Sequence, residues 1–131
     1  MMPPAPPAIT STVAATVTSA VTPLRAYLLA RGGPLSGQRV ALGEQPVSIG
    51  RDPLDCTMLF PADATVVSRL HATVRQDVHN DRLLLRDEGS RNGTFLQTCG
   101  RLDDGVDYPL AFGQPFWCGD PSCVFVVERD G

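Results

Sequence analysis

The chain has 131 residues, room for one domain and a tail but not for two domains. Its 11 basic and 14 acidic residues leave a net charge of -3, without the basic excess of a duplex-binding protein. No apolar run approaches the length of a membrane span, so neither nucleic acid nor a membrane is an expected partner.

Every basic residue is arginine. The four cysteines, Cys56, Cys99, Cys118 and Cys123, contain no Cys-x-x-Cys pair, and the N-terminus lacks the charged start and apolar stretch of a signal peptide. The expectation is a cytoplasmic protein with reduced thiols. Cys118 and Cys123 flank Gly119-Asp120-Pro121-Ser122, where a hairpin could bring them together; buried thiols are favoured there over a disulfide. Neither histidine completes a set of metal-ligand spacing, so no metal site is expected.

Residues 1–23 differ from all that follow. They hold five of the 12 prolines, seven Ser or Thr between Thr10 and Thr22, and no charged or aromatic residue. Proline removes the backbone donor and fixes φ, so this stretch reads as a flexible tail before a domain over residues 24–130.

From Leu24 onward the pattern is short and β-like. An apolar strand over Leu24–Ala30 is stopped by Gly32-Gly33-Pro34. Strands are then expected at Gln38–Leu42, Pro46–Ile49, Cys56–Phe60, Leu70–Arg75 and Arg82–Arg86, each bounded by Asp, Asn, Pro or Gly. Thr94–Gln97, Tyr108–Leu110, Phe116–Cys118 and Cys123–Glu128 complete the series. No window carries a helical apolar period, so about ten short strands with turns between them predict a β-sandwich or barrel. Phe116 and Trp117 read as core, and Arg75, Arg82, Arg86 and Arg101 as solvated strand faces.

Three loop segments concentrate polar chemistry: Gly50-Arg51-Asp52-Pro53, Val67-Ser68-Arg69-Leu70-His71, and Asp87-Glu88-Gly89-Ser90-Arg91-Asn92-Gly93-Thr94. Gathered at one end of a rigid sandwich, their guanidiniums and hydroxyls suit a dianion such as a phosphate monoester. Ser68, His71 and Asp87 could be taken for a nucleophile set. Ser and His three apart on an extended chain face opposite ways, however, and no Gly-x-Ser-x-Gly elbow is present. No catalytic residue is assigned.

Gly50-Arg51, then Ser68-x-x-His71, then Gly89-Ser90-x-Asn92-Gly93-Thr94 resembles the signature of the forkhead-associated (FHA) domain, in order, spacing and strand context. The resemblance covers about residues 24–130. It implies an all-β, eleven-stranded sandwich that binds phosphothreonine peptides with loops at one end and has neither catalytic activity nor cofactor. Arg51 would pair with the phosphate, Ser68 and Arg69 would add donors, and Asn92 would hold the peptide backbone. His71 would brace the loops from behind, with Gly50 and Gly93 as structural support. Ser90 and Arg91 fall where an additional contact can arise. Gln114-Pro115 departs from the family pattern, away from these loops.

The implied function is a phosphothreonine-dependent interaction module, an adaptor or regulator in Ser/Thr kinase signalling, its partners a kinase or the substrates of one. The alternative is an FHA-fold structural module of a larger assembly, such as a secretion apparatus. The tail threonines Thr10 and Thr12 have the reach to occupy the domain's own site once phosphorylated.

Overall fold

The computed structural model describes residues 26–77, 79–80 and 82–129. The segment read as a flexible tail, together with Leu24, Arg25 and residue 130 of the expected domain, lies outside the described residues. Eleven strands and no helix make up the rest, so no described helix is long and apolar enough to cross a membrane.

The strands are β1 (Ala26–Ala30), β2 (Arg39–Leu42), β3 (Val47–Gly50), β4 (Met58–Leu59), β5 (Ala72–Asp77) and β6 (Arg82–Asp87). They continue as β7 (Thr94–Leu96), β8 (Gly100–Arg101), β9 (Asp107–Leu110), β10 (Phe116–Cys118) and β11 (Val124–Arg129). One sheet has the order β2-β1-β11-β10-β7-β8, the other β4-β3-β5-β6-β9. All pairings are antiparallel except β3 with β4. Ten of these strands are those expected from the apolar pattern. The eleventh, β8, is two exposed residues and carries no such signal.

Alternation builds the interface between the sheets. Leu28 on β1, Ile49 on β3, Val74 on β5, Leu83 and Leu85 on β6, and Phe125 and Val127 on β11 are all fully buried. Phe125 lies at the centre, with Phe116 stacked at 5.5 Å and Phe60 edge-on at 6.0 Å. Trp117 is not core, contrary to expectation: one residue on from Phe116, it faces out and stacks on Phe95 at 5.7 Å, its ring only partly buried. Leu84 also points away from the core but is covered, flanked in register by Arg75 and Pro109.

The outer face of the five-stranded sheet is tied by charge. Arg75 and Arg86 both bind Asp107, at 2.8 and 3.0 Å, and Arg82 pairs with Asp77 at 3.5 Å. Burial alone would raise the Asp107 carboxyl, but the bonds from the two arginines hold it below its ordinary value. Gln114 closes a turn by accepting the Ala111 N–H at 2.9 Å. The atypical Gln-Pro segment therefore forms a turn between β9 and β10.

All four cysteines are free; Cys56, Cys118 and Cys123 are buried and Cys99 is exposed. Cys118 and Cys123 face each other across the β10–β11 hairpin, where the Cys118 N–H donates to the Cys123 carbonyl at 3.2 Å. Burial pushes both thiols up, Cys118 furthest, which removes the reactive thiolate. Ellman's reagent should therefore titrate Cys99 at once and Cys118 only when the protein unfolds. Equal reaction rates at the two positions in native protein would contradict this packing.

Candidate functional site

Strand direction decides which loops meet. β3 and β6 both run antiparallel to β5, so the loop after β3 (residues 51–57), the loop before β5 (60–71) and the loop after β6 (88–93) share one end. The β10–β11 turn joins them there, its Gly119 N–H donating to the Gly93 carbonyl at 2.8 Å.

The first contact between these loops centres on one carbonyl. The Arg69 oxygen accepts the N–H groups of Arg51 at 2.9 Å and Asp52 at 3.1 Å, and the Cys56 thiol at 3.2 Å. Gly50 permits this approach, because a Cβ there would fall 2.1 Å from the same oxygen. The Arg51 side chain then lies along the β4–β5 loop, with Nε donating to Val67 O at 2.6 Å and an Nη to Ala62 O at 3.1 Å. Its acceptors are neutral carbonyls, and among the described residues no carboxylate pairs with the guanidinium.

His71 makes the second connection. Its Nδ1 accepts the Ser68 backbone N–H at 3.0 Å and its Nε2 donates to Gly93 O at 2.7 Å. This pair of bonds requires the neutral imidazole with the proton on Nε2. The ring is fully buried, and burial pushes its pKa below the ordinary histidine value against the upward pull of the Gly93 carbonyl. Both ring nitrogens are committed to the backbone, so neither serves the Ser68 hydroxyl as a base. That hydroxyl accepts the Arg91 N–H at 3.0 Å.

The β6–β7 turn is organised by Asp87, which the sequence places in a polar loop segment and otherwise offers only as a member of a nucleophile set. Asp87 is 3% exposed, and its carboxylate accepts the N–H groups of Gly89 and Ser90, both at 3.1 Å. It also accepts the hydroxyls of Ser90 at 2.5 Å and Thr94 at 2.7 Å. Ser90, expected as an additional ligand contact, is instead folded inward, where its hydroxyl also accepts the Gly93 N–H at 2.9 Å. Gly93 turns the chain at φ 91°, a conformation that strains other residues. Asn92 stands at the surface and its Nδ2 donates to Val66 O at 3.0 Å.

Arg69 is 68% exposed and touches Asp52 at 3.3 Å. Arg91 is exposed beside Asn92. Arg101, expected to be a solvated strand residue, reaches this margin from β8 and donates to the Arg91 carbonyl at 3.2 Å. Arg51, Ser68, Arg69, Arg91 and Asn92 thus lie on adjoining loops at one end, with His71 beneath them. An adjacent cleft of about 430 Å³ sets Asp87, Asp103 and Asp104 against Arg101, a charge balance that does not suit an anion. Among the described residues no group of His, Cys, Asp and Glu is placed to hold a metal ion.

The FHA domain family profile matches residues 47–114, which contain every one of these loops except the β10–β11 turn. FHA domain-containing protein FhaB of Mycobacterium tuberculosis is 40% identical over 84 residues, 64% of this chain and 50% of that protein. The chain thus spans about half the length of the curated relative it matches. An FHA domain solved in a study of phosphothreonine-dependent FHA interactions superposes with a TM-score of 0.63 at 27% identity, covering 82% of this chain and 98% of its own. The FHA domain of a hypothetical protein from Arabidopsis thaliana gives a TM-score of 0.71 at 23% identity, covering 90% and 95%. With its sheets, loops and sequence matched across more than half its length, the chain belongs to the FHA domain family.

Proposed function

We propose that the loop end binds a phosphothreonine-containing segment of a partner protein, and that the chain works as an interaction module in Ser/Thr kinase signalling. The observation that carries this reading is Arg51. It is a guanidinium without a carboxylate partner among the described residues, on a loop locked at its backbone to the Ser68–Arg69 segment. A phosphate dianion accepts the planar fork of an arginine in two bonds, and no other side chain offers that geometry.

In this reading Arg51 binds the phosphate, with Ser68 and Arg69 adding donors from the neighbouring loop. Asn92 fixes the peptide backbone, and of its amide only Nδ2 is engaged among the described residues. Arg91 contributes long-range attraction. His71 and Gly93 hold the loops in place, and Gly50 permits the contact that joins them.

Arg51→Ala should abolish phosphopeptide binding in a folded protein. Truncating a partly desolvated arginine–phosphate pair costs about 2–5 kcal/mol, some thirtyfold or more in affinity. Arg51→Lys should lose most of the same affinity, since a point charge does not replace the fork. Calorimetric titration with a phosphothreonine peptide library and its unphosphorylated counterpart measures both. Undiminished affinity in a folded Arg51→Ala variant rules out the assignment.

His71 makes stability depend on pH in a defined direction. Its folded pKa lies below the unfolded value of 6.5, so the unfolded chain takes up the proton first. The stabilisation is complete above the unfolded pKa and is lost as pH falls from there through the folded pKa. The melting temperature should therefore drop below about pH 6.5, and His71→Gln should flatten that drop. Melting curves separate this from ligand titration, since a phosphate monoester itself titrates near pH 6. His71→Ala, which strands the Ser68 N–H and leaves the Gly93 carbonyl with only its bond from Gly119, should cost about 1–3 kcal/mol. A wild-type melting temperature in that variant would exclude the bracing role.

A further inference from the structure

The two arginines nearest the proposed phosphate position are not electrically equivalent. Arg51 rests on two carbonyl oxygens. Arg69 rests on a carboxylate: its Nη2 lies 3.3 Å from Asp52 Oδ2, and the two side chains are 68% and 17% exposed. The carboxylate is the fixed member of this pair. The Asp52 backbone N–H is held by the Arg69 carbonyl at 3.1 Å, and its Oδ1 accepts the Leu54 N–H at 3.0 Å.

We propose that Asp52 is a resident counter-anion that an incoming phosphate displaces from Arg69, and that it thereby sets the affinity of the site. The inference rests on the phosphothreonine reading above and deepens it.

The geometry favours competition over pre-orientation. A charge-assisted N–H···O bond that fixes a guanidinium is two-pronged and about 2.7–2.9 Å long. This one is a single contact at 3.3 Å on an exposed guanidinium, the class of ion pair that contributes least. A dianion outcompetes it for Arg69, but then faces the negative charge of Asp52 across that same guanidinium. The carboxylate stays ionised throughout, because the Leu54 N–H and, less strongly, the Arg69 charge hold its pKa below the ordinary value.

Asp52→Asn removes the charge and keeps an oxygen for the Leu54 N–H, so the turn survives. The variant should bind phosphothreonine peptide roughly fivefold more tightly at low salt, with the gain shrinking as ionic strength rises. The gain should also require Arg69, which a double-mutant cycle reads directly. The experiment titrates the full chain as wild type, Asp52→Asn, Arg69→Ala and the double variant. The probe is the tightest member of a phosphothreonine peptide library, alongside its unphosphorylated form.

Tighter binding by Asp52→Asn that largely disappears in the Arg69→Ala background supports the proposal. Equal gains in both backgrounds overturn it, since the effect is then one of net charge alone. Weaker binding by Asp52→Asn, with an unchanged melting temperature, overturns it in favour of a positioning role. Should Asp52→Asn prove unstable, Asp52→Ser retains an acceptor for Leu54 and carries the same expectation. If the wild type binds no phosphopeptide at all, the functional reading itself fails, an outcome distinct from wild-type binding that Asp52→Asn does not improve.

Discussion

The loop end depends on one neutral imidazole held between two backbone groups that no strand pairing satisfies. His71 takes the Ser68 N–H on one side and gives its own proton to the Gly93 carbonyl on the other. Without the ring the Ser68 N–H would need another partner, and the Gly93 carbonyl would keep only its bond from Gly119; a buried polar group left unpaired costs about 1–3 kcal/mol. Gly93 in turn accepts the β10–β11 turn through Gly119, so the ring couples loops carried by both sheets. This polar junction organises the loop end, while Phe60, Phe116 and Phe125 belong to the buried apolar core. The sandwich is held by apolar burial; the loop end, by directional bonds.

Asp87 performs the corresponding task inside a single turn. A carboxylate 3% exposed is tolerable only when its lone pairs are filled, and here two N–H groups and two hydroxyls fill them. The arrangement explains why Ser90 lies inward while Asn92, two residues on, reaches the surface. Ser90 is used up in closing the turn from Asp87 to Gly93. The next positions, exposed Arg91 and half-buried Asn92, are left free to face the surface.

The strands were legible in the sequence because burial on one face imposes alternation, as along His71-Ala72-Thr73-Val74-Arg75, and because Gly, Pro, Asn and Asp mark the turns. β8 was not, since two exposed residues paired with β7 leave no hydrophobic trace. Trp117 misled for a related reason: an aromatic beside a core phenylalanine reads as core, but alternation sends it outward to stack on Phe95. The candidate loops were found through motif spacing. What spacing does not reveal is which polar side chains face inward. Ser90 and Arg91 are neighbours in one polar turn, and the buried carboxylate of Asp87 draws the Ser90 hydroxyl inward while Arg91 stays exposed. Arg101 reaches the loops through β8, a strand whose pairing the local sequence does not encode.

The loop network also bears on how binding energy would be distributed. Ordering a loop on binding consumes part of the interaction energy, whereas a loop ordered during folding leaves the ligand contacts undiminished. Here the Arg69 carbonyl, the His71 ring and the Asp87 carboxylate fix the three loops through the backbone or through buried groups, without using the Arg51 charge. Elsewhere on the domain the arginines are spent on structure: Arg75 and Arg86 share Asp107, and Arg82 holds Asp77. The chain is acidic overall, yet Arg51, Arg69 and Arg91 gather at one end while Arg75, Arg82 and Arg86 are paired with carboxylates elsewhere. Within that end the charge is graded from Arg51, held among the described residues by two carbonyls, to Arg69, balanced by Asp52. A dianion bridging both would draw most of its attraction from Arg51, which makes the rigid position of that residue, and not the number of arginines, the quantity the fold has to control.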